Sequence, residues 1–139
     1  MPYKLKIIQK PGYLHAIVTG QNSLENVKRY LEEIRGECIA RNCFRVLVEE
    51  RLDGPRLGTM DVFMIVAEES GKARGTIREI AYVDVNAEGD LMQFAETVAV
   101  NRGMRVAVFS TVANAERWLV NENRKRAKPA AKGAGGVRR

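Results

Sequence analysis

The side chains of this chain that could do chemistry are few and scattered. His15 is its one histidine, and it falls in the middle of an apolar stretch with no partner at catalytic spacing, so general-base work is not indicated and a structural role is. Cys38 and Cys43 are its two cysteines. They form no CxxC pair, and their apolar surroundings make them small buried hydrophobes rather than nucleophiles or zinc ligands. No GxSxG elbow, phosphate loop or His pair for a metal is present. Glu49, Glu50 and Asp53 lie near a strand end and could draw a cation, although a charged loop is the commoner explanation.

One stretch gathers more functional groups than any other. Residues 51–59 contain Arg51, Arg56, Gly58 and Thr59, with Gly54 and Pro55 between them. Two guanidinium groups beside a hydroxyl at the start of a helix suit an anion, a partner protein or a phosphorylation site. The competing reading is that Thr59 only caps the helix. Immediately afterwards, Met60, Phe63, Met64 and Ala67 share one helical face, and Val62, Ile65 and Val66 add a second. A helix apolar on so much of its circumference needs burial on two sides. That makes Met60, Val62, Phe63, Ile65 and Val66 candidates for a homodimer or partner surface. The same excess would serve a small apolar or amphipathic ligand held between this helix and a sheet.

The elements that position these groups follow from periodicity. Tyr3–Gln9 and Tyr13–Thr19 alternate as strands about a Lys10-Pro11-Gly12 turn, which predicts an antiparallel hairpin. Asn22 or Ser23 can cap a helix running to about Ala40, with Leu24, Val27, Leu31, Ile34 and Cys38 inward. Phe44–Glu49, Ile77–Val85 and Arg105–Phe109 read as further strands. Helices follow from Met60 to about Ser70, from Asp90 to Asn101 and from Ser110 or Thr111 to about Asn121. Gly71–Gly75 closes the first of these and Gly103 the second. The order ββαβαβαβα predicts a single-domain α/β fold with a mixed, mostly parallel five-stranded sheet. Ligands of such sheets meet the loops at the carboxyl ends of the strands.

Composition sets the outer limits. The chain has 139 residues, 45% apolar and 29% charged, in keeping with one globular domain. Its net charge of +6 is concentrated at one end: residues 124–139 hold seven of the 23 basic residues and no acid. The remaining sixteen stand against 17 acids, so the body, 1–123, is near −1 and is not a basic domain. The segment 124–139 reads as a disordered tail, able to make weak, sequence-blind contact with nucleic acid or an acidic membrane surface. No run approaches the ~20 apolar residues of a membrane span, and the first residues lack the apolar centre of a signal peptide. A cytoplasmic protein without a cofactor, metal or integral membrane segment is expected.

Several stretches together resemble a known family. Phe94-Ala-Glu-Thr-Val-Ala-Val-Asn-Arg-Gly-Met-Arg-Val-Ala-Val-Phe109 with Ala115-Glu-Arg-Trp-Leu119, and Val46-Leu-Val-Glu-Glu-Arg-Leu-Asp-Gly-Pro55 running into Thr59-Met-Asp-Val-Phe63, are similar to SpoIIAA-like STAS proteins. The likeness covers roughly residues 5–120. It implies a STAS-like mixed sheet packed with helices, a regulatory module that binds a protein partner, and in one branch a phosphorylated serine at a helix N-terminus. Where that branch carries an Asp-Ser-Ser-Gly segment, this chain has Leu57-Gly58-Thr59-Met60, in which Thr59 supplies the sole hydroxyl. The match is therefore to the broader SpoIIAA-like group, and the implied activity is non-enzymatic.

Overall fold

The chain opens with the hairpin that its alternation requires. β1 (Tyr3–Lys10) and β2 (Tyr13–Gln21) pair antiparallel, and Gly12 between them adopts φ 86°, a left-handed value that a side chain would strain. The computed structural model describes residues 3–54, 59–73, 76–84 and 89–127; at 59, 60, 62, 63, 73, 89–92 and 122–127 the description is of backbone alone. The remaining strands, β3 (Arg45–Asp53), β4 (Glu79–Asp84) and β5 (Arg105–Phe109), run parallel to β2 and to one another. Spatial order equals chain order, β1-β2-β3-β4-β5. The helices are α1 (Leu24–Arg41), α2 (Thr59–Ala73), α3 (Gly89–Asn101) and α4 (Val112–Ala127), which completes the expected α/β architecture.

Local chemistry fixes the helix ends. The Ser23 hydroxyl accepts the Asn26 N–H at 3.1 Å, which identifies Ser23 rather than Asn22 as the cap of α1. Asn42 ends α1 in the left-handed conformation, φ 51°. The Thr111 hydroxyl accepts the Asn114 N–H at 3.2 Å and starts α4.

Several boundaries differ from the sequence expectation, and β4 is shorter than Ile77–Val85, beginning at Glu79. β3 continues to Asp53, so Arg51 lies on a strand and not in a loop; its register partner is Thr19, and β2 extends to Gln21 to meet it. α2 passes through Gly71 to Ala73 instead of ending there. A helical glycine costs only about 1 kcal/mol relative to alanine, and Lys72 beyond it is tied to Glu32 of α1. α4 reaches Ala127, because the stretch after Asn121 has no breaker before Pro129.

Strand alternation divides the sheet into two faces. Leu14, Ala16, Val18, Val46 and Val48 form one core with Val27, Tyr30, Ile34 and Cys38 of α1, Ile65 of α2 and Ala99 of α3. Tyr13, Leu47, Ala81 and Val83 face the other way and pack on Ala115 and Leu119 of α4. Among the described residues, no helix is long and apolar enough to cross a membrane.

On the α4 face a buried ion pair ties the layers together. Arg45 Nε donates to Glu79 Oε1 at 2.7 Å, its Nη1 donates to the Gly12 carbonyl at 3.1 Å, and its Nη2 donates to the Leu119 carbonyl. Glu79 is fully buried and also receives Arg105 at 3.3 Å. One guanidinium thereby joins β3, β4, the hairpin turn and α4.

Candidate functional site

The α1–α3 face is arranged differently. Between the sheet and these three helices lies a cavity of about 170 Å³. Its walls are mostly apolar, with Val46, Val48, Ile80 and Val106 from the sheet and Leu31, Ile65 and Ala99 from the helices. Alternation explains this wall: 46, 48 and 50 share a parity, as do 80, 82 and 84, so two strands present their inner residues to one space.

That same parity brings polar groups in. Glu50 and Asp84 are register partners at the carboxyl ends of β3 and β4, and both line the cavity. The Tyr82 hydroxyl donates to Glu50 Oε2 at 2.9 Å and lies 3.0 Å from the Tyr30 hydroxyl. Since the Tyr82 hydrogen goes to Glu50, Tyr30 supplies the hydrogen between the two phenols. The chain Tyr30 to Tyr82 to Glu50 thus links a buried carboxylate to the fully buried Tyr30 of α1. Burial first, then the Glu50 charge and hydrogen bond, push the Tyr82 phenol well above its ordinary range, so it donates and does not ionise. Glu96 of α3 accepts the Val108 N–H at 3.0 Å.

Away from these strand ends the lining includes Arg35, Glu69 and Ser70. Arg35 Nη2 donates to Glu32 at 2.8 Å. Its Nη1 is buried and, among the described residues, is the one buried side-chain nitrogen or oxygen without a hydrogen-bond partner. Lys72 bonds to Glu32 and lies 3.5 Å from Glu69. Burial raises the Glu69 carboxyl above its ordinary value, against the opposing pull of Lys72.

The sequence-derived candidates are placed as follows. Arg51 is not an open anion ligand: its Nε and Nη2 lie 2.8 and 2.7 Å from Glu49 Oε2. The other oxygen of Glu49 meets His15 Nε2 at 2.8 Å, so the histidine does have a carboxylate partner, reached across the β2–β3 register. Burial alone would raise the Glu49 carboxyl, but Arg51 and His15 together outweigh it and hold it below the ordinary range. Arg56 and Gly58 lie outside the described residues. Thr59, Met60, Val62 and Phe63 are placed as helical backbone of α2. Ile65 and Val66, expected at an interface, line the cavity, and Met64 between Phe63 and Ile65 is exposed.

Arg35, Tyr82 and Glu96 were not singled out by sequence reasoning, and Glu50 was named only as part of a possible cation cluster. A signal for Glu50 and Tyr82 existed: each continues the parity of an apolar strand face. Glu49 and Glu50 point to opposite faces, so the suggested cation cluster does not converge, and no metal-holding group exists among the described residues. Burial pushes the Cys38 thiol up to about 11, so it stays protonated in the core. The arrangement forms a recess with mostly apolar walls and polar side chains among its lining. No family model matches this chain, and no curated protein matches it at a significant level.

Proposed function

We propose that this chain is a non-enzymatic binding module that holds a small apolar or amphipathic molecule between its sheet and α2. The observation that carries the reading is the cavity of about 170 Å³ on the inner face. A dry apolar cavity of about 150 Å³ accepts a benzene-sized guest. The site also lies where ligands of parallel sheets bind, reaching the carboxyl ends of β3 and β4. The resemblance to SpoIIAA-like STAS proteins supports a regulatory role in the cytoplasm, in which a bound molecule is sensed and not transformed.

Toluene, which fits by size and has no polar group, tests this on the full chain. Saturable binding and a rise in Tm that follows its concentration are expected. An unmoved Tm up to the solubility limit of toluene overturns the reading.

A second reading, self-association or protein binding through α2, is favoured by Met64, which is 55% exposed on the outside of that helix. Native mass spectrometry of the full chain should then show a dimer that Met64→Lys dissociates. A monomer at micromolar concentration removes the self-association.

A further inference from the structure

We propose that Cys38 and Cys43 are a peroxide-responsive thiol pair, which closes an intrachain disulfide across the C-terminal end of α1. This site lies apart from the binding role proposed above and does not depend on what the cavity holds.

The end of α1 brings the two residues together. The Cys43 N–H bonds to the Cys38 carbonyl at 3.0 Å, and the Asn42 N–H bonds to the Ile39 carbonyl at 3.2 Å. With Asn42 left-handed at φ 51°, these are the two bonds of a Schellman cap. Such caps set the side chains of the residues that share the longer-range bond, here 38 and 43, against each other. The chain's two cysteines are therefore the two members of one contact. Cys43 packs against the core cluster that contains Cys38. The 3.0 Å bond also keeps their Cα atoms under about 7 Å apart. Disulfides span Cα separations up to about 6.8 Å. Both thiols are free. The backbone already stands where the bond needs it, and what remains is rotation of the two side chains.

Burial divides the roles. Cys38 is fully buried; burial first, then its neighbour Cys43, hold its thiol up at about 11. A thiol that stays protonated is a poor first attacker. Cys43 is half-buried and within reach of a small oxidant. Gln9 Nε2 donates to its Sγ at 3.9 Å, and that Sγ lies 3.9 Å from the Arg45 carbonyl. The Gln9 amide steadies negative charge on the sulfur as it reacts. Cys43 is thus the attacking residue and Cys38 the resolving one.

Hydrogen peroxide is the oxidant. The Cys43 sulfur attacks one peroxide oxygen, the O–O bond breaks, and the thiol proton leaves with the other oxygen as water. Cys43 is then a sulfenic acid. The Cys38 sulfur attacks the Cys43 sulfur, the S–O bond breaks, and the Cys38 proton leaves with that hydroxide as a second water. Two thiols give up two electrons, one peroxide takes them, and a reducing thiol reverses the change.

The test treats the folded full chain with hydrogen peroxide, then unfolds it, alkylates the remaining thiols and measures mass. The monomer should lose about 2 Da and take up no alkyl group, and dithiothreitol should restore both thiols. Trypsin cuts after Arg35, Arg41 and Arg45, so residues 36–41 and 42–45 should emerge joined. Cys38→Ser should let dimedone trap the Cys43 sulfenic acid about tenfold more than in wild type. Cys43→Ser should slow oxidation of Cys38 about tenfold. Sulfinic acid at Cys43 with Cys38 still free overturns the proposal. So does a disulfide formed only between chains, or no reaction at millimolar peroxide. If Cys38→Ser does not fold, the joined peptides from the wild-type chain decide alone.

Discussion

The two faces of this sheet use the same strands to opposite ends. On the α4 face, buried charge is consumed internally: Arg45 bonds to Glu79 and two backbone carbonyls. On the α1–α3 face, apolar side chains stop short of filling the layer, and buried polar groups stand around an opening. Neighbouring residues make the contrast plain. Leu47 goes into the dry side and Val48 into the wall of the cavity, and Glu49 and Glu50 divide in the same way. A single sheet thus presents an ion-paired face to α4 and a cavity-lined face to α1–α3, and it does so by residue parity alone.

The sharpest way to break the comparison is at Glu79. Glu79→Ala leaves Arg45 buried with its partner gone, and losing one member of such a pair costs about 3–5 kcal/mol. Urea unfolding should show a large fall in the midpoint, and a small fall would mean that the α4 face is not the rigid one.

A matched pair of substitutions sharpens the contrast. Ala81 faces α4 and is fully buried, whereas Ala99 lines the cavity. Ala81→Leu forces extra methylenes into a filled layer and should destabilise by about 1–3 kcal/mol. Ala99→Leu enters open space, should stabilise by about 1 kcal/mol and should weaken toluene binding. Equal losses at both positions in thermal unfolding would abolish the distinction between the faces.

The smallest effect is expected at Glu49. Its folded carboxyl titrates below the ordinary 4.5, so the stability it contributes is complete above that value and disappears as pH falls through the folded pKa. Glu49→Gln should therefore flatten the acid limb of the stability profile below about pH 4.5, with little change in its slope near neutrality. An unchanged acid limb in urea titrations across pH would show that the His15–Glu49–Arg51 group contributes nothing there.

The elements themselves were largely legible in the sequence. Alternation and the Pro11-Gly12 turn define the hairpin, and β5 begins at Arg105 and ends at Phe109 as its pattern requires. Arg51 was misplaced because its strand conformation depends on pairing with Thr19, a partner 32 residues earlier that local pattern does not reveal. His15 had no visible partner for the same reason: the β2–β3 register, and not chain distance, brings Glu49 to it. α2 illustrates a different limit. Apolar residues around a helix call for burial, but periodicity does not distinguish a second protein, a packed layer and a cavity wall. Ile65 and Val66 meet the third. Volume left unfilled between layers is a property of three helices and a sheet jointly, and no single segment encodes it.

Equality of chain order and spatial order in the sheet also governs how the molecule can be built during synthesis. Each strand, as it leaves the ribosome, finds the edge on which it belongs already in place, and no earlier pairing has to open to admit it. Nearest-neighbour assembly of this kind keeps the loops to be closed short and favours rapid folding. The exception is the last helix. Its Glu116 accepts the Tyr13 hydroxyl across 103 residues, and its Leu119 carbonyl meets Arg45 across 74. Until that helix arrives, Glu79 and Arg45 lack their cover, so the nascent sheet carries an open ionic face. Docking of α4 is what seals it.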